Sequence, residues 1–326
     1  MRIAIVGAGA IGGWLGISLA DAGHHVSVLA RGDTLAALRE GPWKLQRGDV
    51  VTAAQVIASD IPSDLGVQDI VIIAVKGPAL PGLAPSLAPL IGPDTIVVPA
   101  MNGVPWWFLL AGGGELSPTR LSTIDPDNAI AAAIPFTSVL GSVVHVAATS
   151  PKAGHVWLKA GNRLILGQPD HGSAQLDRIA PVLEQAGIGV ERSAHIQKDV
   201  WYKLWGNMTM NPISAITGAT CDRVLDDNLV AGFVLRVMAE AQEIGSKIGC
   251  RIDERGEDRN AVTRQLGAFK TSMLQDVEAG RPLELDQLVS APREIAELLG
   301  VATPNLDALL GLSRLFAQSR GLYPNG

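Results

Sequence analysis

A glycine-rich segment directly after the first apolar run constrains the fold of this chain more than any other feature. Residues 2–6 form an apolar run of strand length, and a helical pattern begins soon after it. The residues between them are Gly7, Ala8, Gly9, Ala10, Ile11 and Gly12. In this spacing the first glycine permits a tight turn, the second lets the backbone approach a pyrophosphate, and the third lets the helix pack closely on its strand. The segment therefore predicts a Rossmann-type α/β domain that binds a dinucleotide at the helix N-terminus.

The composition excludes several classes of protein. The 326 residues leave room for two domains, and 47% apolar against 18% charged residues is typical of a globular chain with sizeable cores. A net charge of −6 without a basic run argues against nucleic-acid binding. Glycine or polar residues interrupt the apolar stretches, so we expect no membrane span. Only Cys221 and Cys250 occur, without ligand-like spacing, which predicts a reducing cytoplasm, no disulfide framework and no metal site.

The end of the second predicted strand, residues 25–30, indicates which dinucleotide is bound. An acidic residue at this point would accept a hydrogen bond from the ribose 2′-hydroxyl and favour NAD. The chain has Arg31 there, and a guanidinium suits a 2′-phosphate, so we expect NADP. The alternative is that Arg31 caps a surface turn and that Asp33 receives the ribose.

Two further strand ends carry polar side chains. Lys76 follows the apolar run 69–75, and Asn102-Gly103 follows the run 95–100. In open α/β sheets ligands bind at the carboxyl ends of the strands, so we expect Lys76 and Asn102 to face the cofactor crevice. The alternatives are a solvent-exposed lysine and an ordinary Asn-Gly turn.

Strand and helix patterns divide the chain near residue 194. Residues 43–56 read as a hairpin, and residues 139–148, 155–159 and 163–167 read as strands that turns separate. After His195 the patterns are helical, at residues 229–248, 260–276, 289–299 and 305–318 in addition to a helix around Lys203. The prediction is an α/β domain in residues 1–194, with a mostly parallel sheet and antiparallel additions, followed by an all-α domain in residues 195–326.

The helix predicted around residues 201–212 contains a row of polar side chains. Lys203, Asn207 and Asn211 recur at intervals of four, so one cation and two amides lie along one helix face. Pro212 disfavours helical angles at Asn211, which predicts a kink or a helix end there. The row favours a cleft, although a solvated polar stripe is the commoner arrangement.

Three aromatic residues and a long loop stand beside the Asn102 turn. Residues 112–128 are rich in Gly, Ser, Pro and Asp, and long ordered loops are uncommon unless they are functional. Trp106, Trp107 and Phe108 precede this loop. Three alternatives are open for them: with the loop they form a partial lid or one wall of the substrate pocket, they belong to the core, or they make a contact in an oligomer.

With these residues identified, the chain resembles the ketopantoate reductase family (2-dehydropantoate 2-reductases) over nearly its whole length. The motifs that carry the resemblance are Gly7-x-Gly-x-x-Gly12, Arg31, Lys76, Asn102-Gly103, Lys203-Leu-x-x-Asn207-x-x-x-Asn211-Pro212, Ser272-Met-Leu-Gln-Asp276, Gly280-Arg281 and Glu284-Leu-Asp286.

The resemblance implies an NADP-dependent oxidoreductase that reduces a 2-keto acid, with conversion of ketopantoate to pantoate in pantothenate biosynthesis as the leading reaction. It implies that Lys203 is the general acid. The substrate contacts that it implies are Asn102, Lys203, Asn207, Asn211 and Ser272. The residues that it implies around the nicotinamide end of the cofactor are Lys76, Asn102 and Glu284.

Departures from the family pattern leave the substrate open. Cys221 stands where the family usually has asparagine, and Val289-Ser290 stands where pantoate-forming members tend to have Asn-Gly. The third departure is the Trp106-Trp107 pair with the loop at residues 112–128, which resembles an elaboration of the family pattern. One alternative is an NADP-dependent 2-hydroxy-acid dehydrogenase of the same family that acts on another keto acid. The other is a non-catalytic dinucleotide sensor, which would need the glycine segment but not the Lys203 row.

Overall fold

The computed structural model describes residues 1–325, and the chain forms two compact units. The first unit comprises Met1–Met101 and Asp127–Asp199, and the second comprises Asn102–Pro126 and the chain from Val200 onwards. Each unit is built from two separate stretches, because residues 102–126 belong to the second unit. The assignment of cofactor binding to residues 1–194 and of substrate binding and catalysis to residues 195–326 stays a prediction.

All strands of the described chain lie in the first unit. They are β1 (Arg2–Val6), β2 (His25–Leu29), β3 (Trp43–Arg47), β4 (Val50–Ala54), β5 (Ile57–Ser59), β6 (Ile70–Ile73), β7 (Ile96–Pro99), β8 (Gly141–Lys152), β9 (His155–Gly167) and β10 (Gly189–Arg192). The helices of this unit are α1 (Ala10–Asp21), α2 (Gly32–Glu40), α3 (Pro62–Leu65), α4 (Leu80–Leu83), α5 (Ala129–Ala133) and α6 (Ala174–Gln185).

The first sheet is parallel and has the strand order β5-β2-β1-β6-β7. Ile5 of β1 pairs with Val28 of β2 on one side and with Ile72 of β6 on the other, and all three side chains are buried. Strands buried on both faces read as continuous apolar runs, which is why this sheet was recognisable from sequence. The strand order changes direction between β1 and β6. Open α/β sheets bind their ligands at the carboxyl ends of the strands beside such a point.

A second sheet contains the antiparallel strands. Its order is β10-β9-β3-β4, and β8 pairs with β9. The hairpin β3–β4 is confirmed. The turn predicted at residues 160–162 is wrong, because β9 runs through it as one strand with irregular register against β8. Gly161 at φ +73° takes up this irregularity, as glycines at strand bulges do.

Helix α1 is buried around most of its surface. A methyl group at Gly12 would lie 3.0 Å from Ile5 of the first sheet. On another face of α1, a methyl group at Gly13 would lie 2.3 Å from Val156 of the second sheet. A methyl group at Gly16 would lie 2.5 Å from the Trp43 ring of the same sheet. The small residues of α1 therefore let strands of both sheets approach it closely.

The second unit is helical. Its helices are α7 (Ile196–Thr217, which begins in the first unit), α8 (Cys221–Asp226), α9 (Asn228–Lys247), α10 (Gly256–Arg264), α11 (Ser272–Glu278), α12 (Ala291–Leu298) and α13 (Pro304–Ser319). A π-helical turn, Asp286–Ser290, precedes α12. The single helix predicted at residues 260–276 is wrong, because a loop separates α10 from α11. The predicted class, an α/β domain followed by an all-α domain, is confirmed.

Two tryptophans join α7 to α9. The indole N–H groups of Trp201 and Trp205 donate to the carbonyls of Ala241 and Met238, at 3.1 and 2.9 Å. A methyl group at Gly245 would lie 2.4 Å from the Trp201 indole nitrogen, so glycine is required for this contact. Helix α7 is therefore held in place by α9.

None of the helices within residues 1–325 has the length and apolar character that crossing a bilayer requires.

Candidate active site

The glycine segment between β1 and α1 has the geometry of a phosphate cradle. Gly7 has φ +98°, and a methyl group on it would lie 2.8 Å from Val75 and 2.9 Å from the Ala74 carbonyl. A methyl group on Gly12 would lie 2.0 Å from the Gly7 carbonyl. Gly9, in contrast, has nothing within 4 Å of that position, and it caps α1. The backbone thus requires glycine at positions 7 and 12, while at Gly9 it leaves space beside the helix N-terminus.

The other residues of this segment line the start of α1. Ala8 is buried, whereas Ala10 and Ile11 are half-buried. The first N–H groups of a helix have no carbonyl partner within the helix, and its positive dipole end attracts anions. The segment therefore fits a pyrophosphate.

Two cations follow strands of the parallel sheet. Arg31 follows β2 by two residues, caps the N-terminus of α2 and is exposed. Lys76 follows β6, is half-buried and precedes the short 3-10 turn Gly77–Ala79. Both residues lie at the carboxyl ends of their strands, as predicted.

The polar row is on α7, and the structure confirms that its members share one helix. Lys203 and Asn207 are half-buried, and Asn211 is 5% exposed. Of the two alternatives predicted at Asn211, the helix end is wrong, because α7 continues to Thr217 with Pro212 inside it, and the kink stays a prediction. Pro212 and its neighbours Met210 and Ile213 are buried, and their packing compensates for the backbone hydrogen bond that a proline removes.

Two residues that are distant in sequence act on Lys203, one through a hydrogen bond and the other through its charge. Its ammonium donates to the Asn102 side-chain oxygen at 2.8 Å, across 101 positions of the chain. Burial lowers the pKa of Lys203 from 10.5 to about 8, and the negative charge of Glu284 acts in the opposite direction. The structure therefore joins two of the predicted site residues, Lys203 and Asn102, by a hydrogen bond, and the charge of a third, Glu284, acts on the same ammonium. Desolvation of the ammonium makes it a much better proton donor than a surface lysine.

The Asn102 turn is held by the π-helical turn that follows Glu284. Gly103 has φ +77°, and a methyl group on it would lie 2.5 Å from the Gln287 carbonyl. That carbonyl accepts a hydrogen bond from the Val104 N–H at 2.8 Å. Within residues 1–325, the side-chain oxygen of Gln287 is buried without a hydrogen-bond partner. Gln287 was not predicted as a site residue from the sequence. The one feature that could have indicated it is its position three residues after Glu284.

Ser272 and the residues that depart from the family pattern differ in exposure. Ser272 is the first residue of α11 and is exposed. Cys221 is 2% exposed, its N–H donates to the Phe269 carbonyl at 3.0 Å, and burial raises its pKa to about 11. Val289 is fully buried in the π-helical turn. Cys221 and Val289 therefore contribute to packing, and a thiol with this pKa stays protonated.

The aromatic cluster belongs to the core of the second unit. Trp106, Trp107 and Phe108 are at most 3% exposed, and Phe108 stacks on Trp201 with ring centroids 6.0 Å apart. Of the three alternatives open for these residues, the structure supports the core.

The loop after this cluster is ordered by one carboxylate. Glu294 of α12 accepts hydrogen bonds from the backbone and hydroxyl of Ser122, both at 2.7 Å, and from the backbone of Thr123 at 2.9 Å. Burial acts to raise the pKa of Glu294, but these hydrogen bonds outweigh it and lower the pKa.

Comparisons with known proteins identify the family to which this chain belongs. The family models described as ketopantoate reductase PanE/ApbA and its C-terminal part match residues 3–171 and 195–317. A 2-dehydropantoate 2-reductase of Mesorhizobium japonicum is 40% identical over 99% of this chain and 100% of its own length.

Solved structures extend the comparison to the fold. A Ralstonia solanacearum protein, provisionally assigned as a ketopantoate reductase, is 55% identical with a TM-score of 0.95 over 99% of both chains. A D-mandelate dehydrogenase solved with NADH and anilino(oxo)acetate shares the fold at 21% identity, with a TM-score of 0.85 over 99% of this chain and 100% of its own. The resemblance inferred from sequence is thus confirmed, and the chain is an oxidoreductase of the ketopantoate reductase family.

Proposed function

We propose that this protein reduces a 2-keto acid to a 2-hydroxy acid with NADPH, and that its substrate is 2-dehydropantoate, which it converts to pantoate for pantothenate biosynthesis. The observation that carries the proposal is the environment of Lys203. A desolvated ammonium with a pKa of about 8, hydrogen-bonded to Asn102, is suited to donate a proton near neutral pH. The name of the Mesorhizobium relative supports the choice of substrate.

The residues present fit a bound dinucleotide. The open space at Gly9 and the N-terminus of α1 would hold the pyrophosphate, with Gly7, Ala8, Ala10, Ile11 and Gly12 shaping the loop. The exposed guanidinium of Arg31 would bind a 2′-phosphate, which favours NADP. Lys76, Asn102 and Glu284 would contact the nicotinamide end. When bound, NADPH supplies a hydride to the carbonyl carbon of the keto acid.

The role of Lys203 follows from the charge that the reduction creates. As the carbonyl is reduced, negative charge builds on its oxygen, and this charge must be stabilised and protonated. The Lys203 ammonium can do both, whereas the amide of Asn102 cannot supply a proton. The hydrogen bond to Asn102 orients the ammonium, and the charge of Glu284 favours its protonated form.

The substrate contacts are assigned to polar, uncharged groups. Asn207 and Asn211 lie one and two turns along α7 from Lys203, and Ser272 presents a hydroxyl at the start of α11. Amides and a hydroxyl can bind a carboxylate and a polar substituent without adding formal charge beside the lysine. Asn102 and Lys203 complete the proposed set.

A 2-hydroxy-acid dehydrogenase with another substrate is the second candidate. It is favoured by the fold shared with D-mandelate dehydrogenase. It is also favoured by two of the departures from the family pattern, Cys221 at a usual family asparagine and Val289-Ser290 where pantoate-forming members tend to have Asn-Gly. A hydroxy acid with a different substituent would leave the role of Lys203 unchanged.

The test is NADPH consumption with a panel of keto acids. We expect 2-dehydropantoate to give a higher kcat/KM than pyruvate or 2-oxo-2-phenylacetate, the keto acid that corresponds to mandelate. Preference for either of the others would favour the second candidate. No consumption with any 2-keto acid would contradict reductase activity and favour the sensor.

The cellular setting is also a proposal. Cys221 and Cys250 are both buried and carry thiols rather than a disulfide, which is compatible with a reducing cytoplasm. A homodimer stays a prediction that sedimentation of the purified protein can test.

A further inference from the structure

The last residues of the described chain contact the segment that carries Glu284. We call Leu322 and Tyr323 the C-terminal clasp. The carbonyl of Leu322 accepts a hydrogen bond from the Leu283 N–H at 3.0 Å. The hydroxyl of Tyr323 donates to the carboxylate of Asp286 at 2.5 Å. The first bond holds the backbone one residue before Glu284, and the second holds the Asp286 side chain two residues after it.

The opposite end of the same segment is held by the Asn102 turn. The Gln287 carbonyl accepts the Val104 N–H, and Gly103 packs directly against the Gln287 peptide. The segment from Leu283 to Gln287 therefore lies between two fixed attachments. The Asn102 turn provides the hydrogen-bond acceptor of Lys203, and the segment provides Glu284, the charge that acts on the same ammonium.

The clasp is well suited to be a rigid attachment. Leu322 is 5% exposed, its N–H donates to the Ala317 carbonyl at 2.8 Å, and Leu283 is 1% exposed. Burial raises the pKa of Tyr323, and the hydrogen bond to Asp286 raises it further, so the hydroxyl keeps its proton and remains a donor. A hydrogen bond to a carboxylate is shorter and stronger than one between neutral groups.

We propose that Tyr323 is a positioning residue: by holding Asp286, it fixes the segment that carries Glu284, whose charge acts on Lys203. The proposal rests on the proposed role of Lys203 as the proton donor. Neither member of the clasp is among the residues proposed to contact the substrate or the nicotinamide. The other charged groups nearby are Arg314 of α13, beside Tyr323, and Glu254 and Arg259, which contact Tyr202 next to Lys203.

The experiment compares Tyr323→Phe, Glu284→Gln and the double variant with the parent protein. Tyr202→Phe is the matched control, because it is the only other tyrosine and its hydroxyl donates to Glu254 at 2.6 Å in the same unit. The rate of hydride transfer in a single turnover at saturating NADPH is measured across pH, and thermal unfolding is recorded for each variant.

The charge of Glu284 raises the pKa of Lys203, so its loss moves the high-pH decline of the rate to lower pH. We expect Glu284→Gln to show the full shift, Tyr323→Phe a smaller shift in the same direction, and Tyr202→Phe none. In the Glu284→Gln background, Tyr323→Phe should cause no additional shift, because the two residues act through one interaction.

The outcomes separate this inference from the proposed function. If Glu284→Gln shifts the decline and Tyr323→Phe only lowers the Tm, the clasp has a purely structural role and the inference is wrong. Additive shifts in the double variant would also contradict it. If Glu284→Gln leaves the decline unmoved, the proposed link between Glu284 and Lys203 fails, and the positioning role fails with it.

Discussion

At the scale of single residues, the proposed chemistry depends on one ammonium group and its surroundings. We expect Lys203→Ala to lower the single-turnover rate of hydride transfer by about 10²–10⁴-fold, the range of general acid catalysis, while NADPH still binds. Lys203→Arg should not restore the rate, because a guanidinium holds its proton too tightly. Stopped-flow kinetics and an NADPH titration measure the two effects.

The control for this variant is Lys76→Ala. Lys76 follows a strand of the parallel sheet, so its loss should appear mainly as weaker NADPH binding. A Lys203→Ala protein that reduces substrate at nearly the parental rate would rule out Lys203 as the acid.

The lowered pKa of Lys203 predicts the pH dependence of the reaction. Burial lowers this pKa to about 8, and only the protonated ammonium can donate. The rate should therefore decline as the pH rises through about 8, whereas a lysine with an ordinary pKa would keep it constant up to about 10. A rate that is constant across this interval would show that the acid is a different group.

Arg31 determines cofactor choice in the proposal. Arg31→Ala should weaken NADPH binding by about 1.5–3 kcal/mol, the scale of a charge-assisted hydrogen bond, and should leave NADH binding almost unchanged. Titration with each cofactor measures both affinities. Equal losses for NADPH and NADH would contradict the assignment of a 2′-phosphate contact.

At the scale of elements, the glycines of the turn from β1 to α1 have two different roles. Gly12 is required for the fold, whereas we expect Gly9 to be required only for cofactor binding. A methyl group at Gly9 meets no protein atom, so Gly9→Ala should leave the Tm of the unliganded protein unchanged. It should abolish most of the stabilisation by NADPH, which is about 2.7 kcal/mol at a hundredfold excess over Kd. Thermal unfolding with and without NADPH tests this.

The control is Gly12→Ala. Its methyl group would collide with the Gly7 carbonyl, so the unliganded protein itself should be destabilised, by about 1–3 kcal/mol or more. If NADPH raises the Tm of Gly9→Ala as much as it raises the Tm of the parent protein, the pyrophosphate does not bind at Gly9.

Helix α12 orders the loop at Ser122 and Thr123 through Glu294. Glu294→Gln replaces one acceptor oxygen by an amide donor, so we expect a loss of about 1–3 kcal/mol in the free energy of unfolding at neutral pH. The pKa of Glu294 is lowered in the folded chain, so its contribution is present at neutral pH and is lost as the pH falls through that lowered value.

Urea unfolding at neutral pH and again below pH about 4 measures this difference. Glu297→Gln on the same helix is the control, because the Glu297 side chain is 70% exposed and its ion pair with Arg293 should contribute at most about 1 kcal/mol. If Glu294→Gln lowers the free energy of unfolding by the same amount below pH about 4 as at neutral pH, the loss comes from packing and not from the charged carboxylate.

At the scale of the whole molecule, local constraints account for what could be predicted from sequence. The glycine segment was recognisable because it reflects short-range geometry: a positive φ at Gly7 and a close helix–strand contact at Gly12. The apolar runs predicted the parallel sheet, and the spacing of Lys203, Asn207 and Asn211 predicted a shared helix. Together these motifs were enough to recognise the family.

Long-range packing decided what the sequence could not. The course of β9 through residues 160–162 and the continuation of α7 past Pro212 oppose local turn and proline preferences, because pairing with β8 and burial around the proline outweigh them. The environment of Lys203 is likewise determined by long-range packing. Its hydrogen bond spans 101 positions, and its pKa falls because surrounding residues exclude water. The sequence thus determined which residues form the candidate site, whereas only tertiary structure decided that Lys203 is desolvated, since desolvation is a property of packed neighbours.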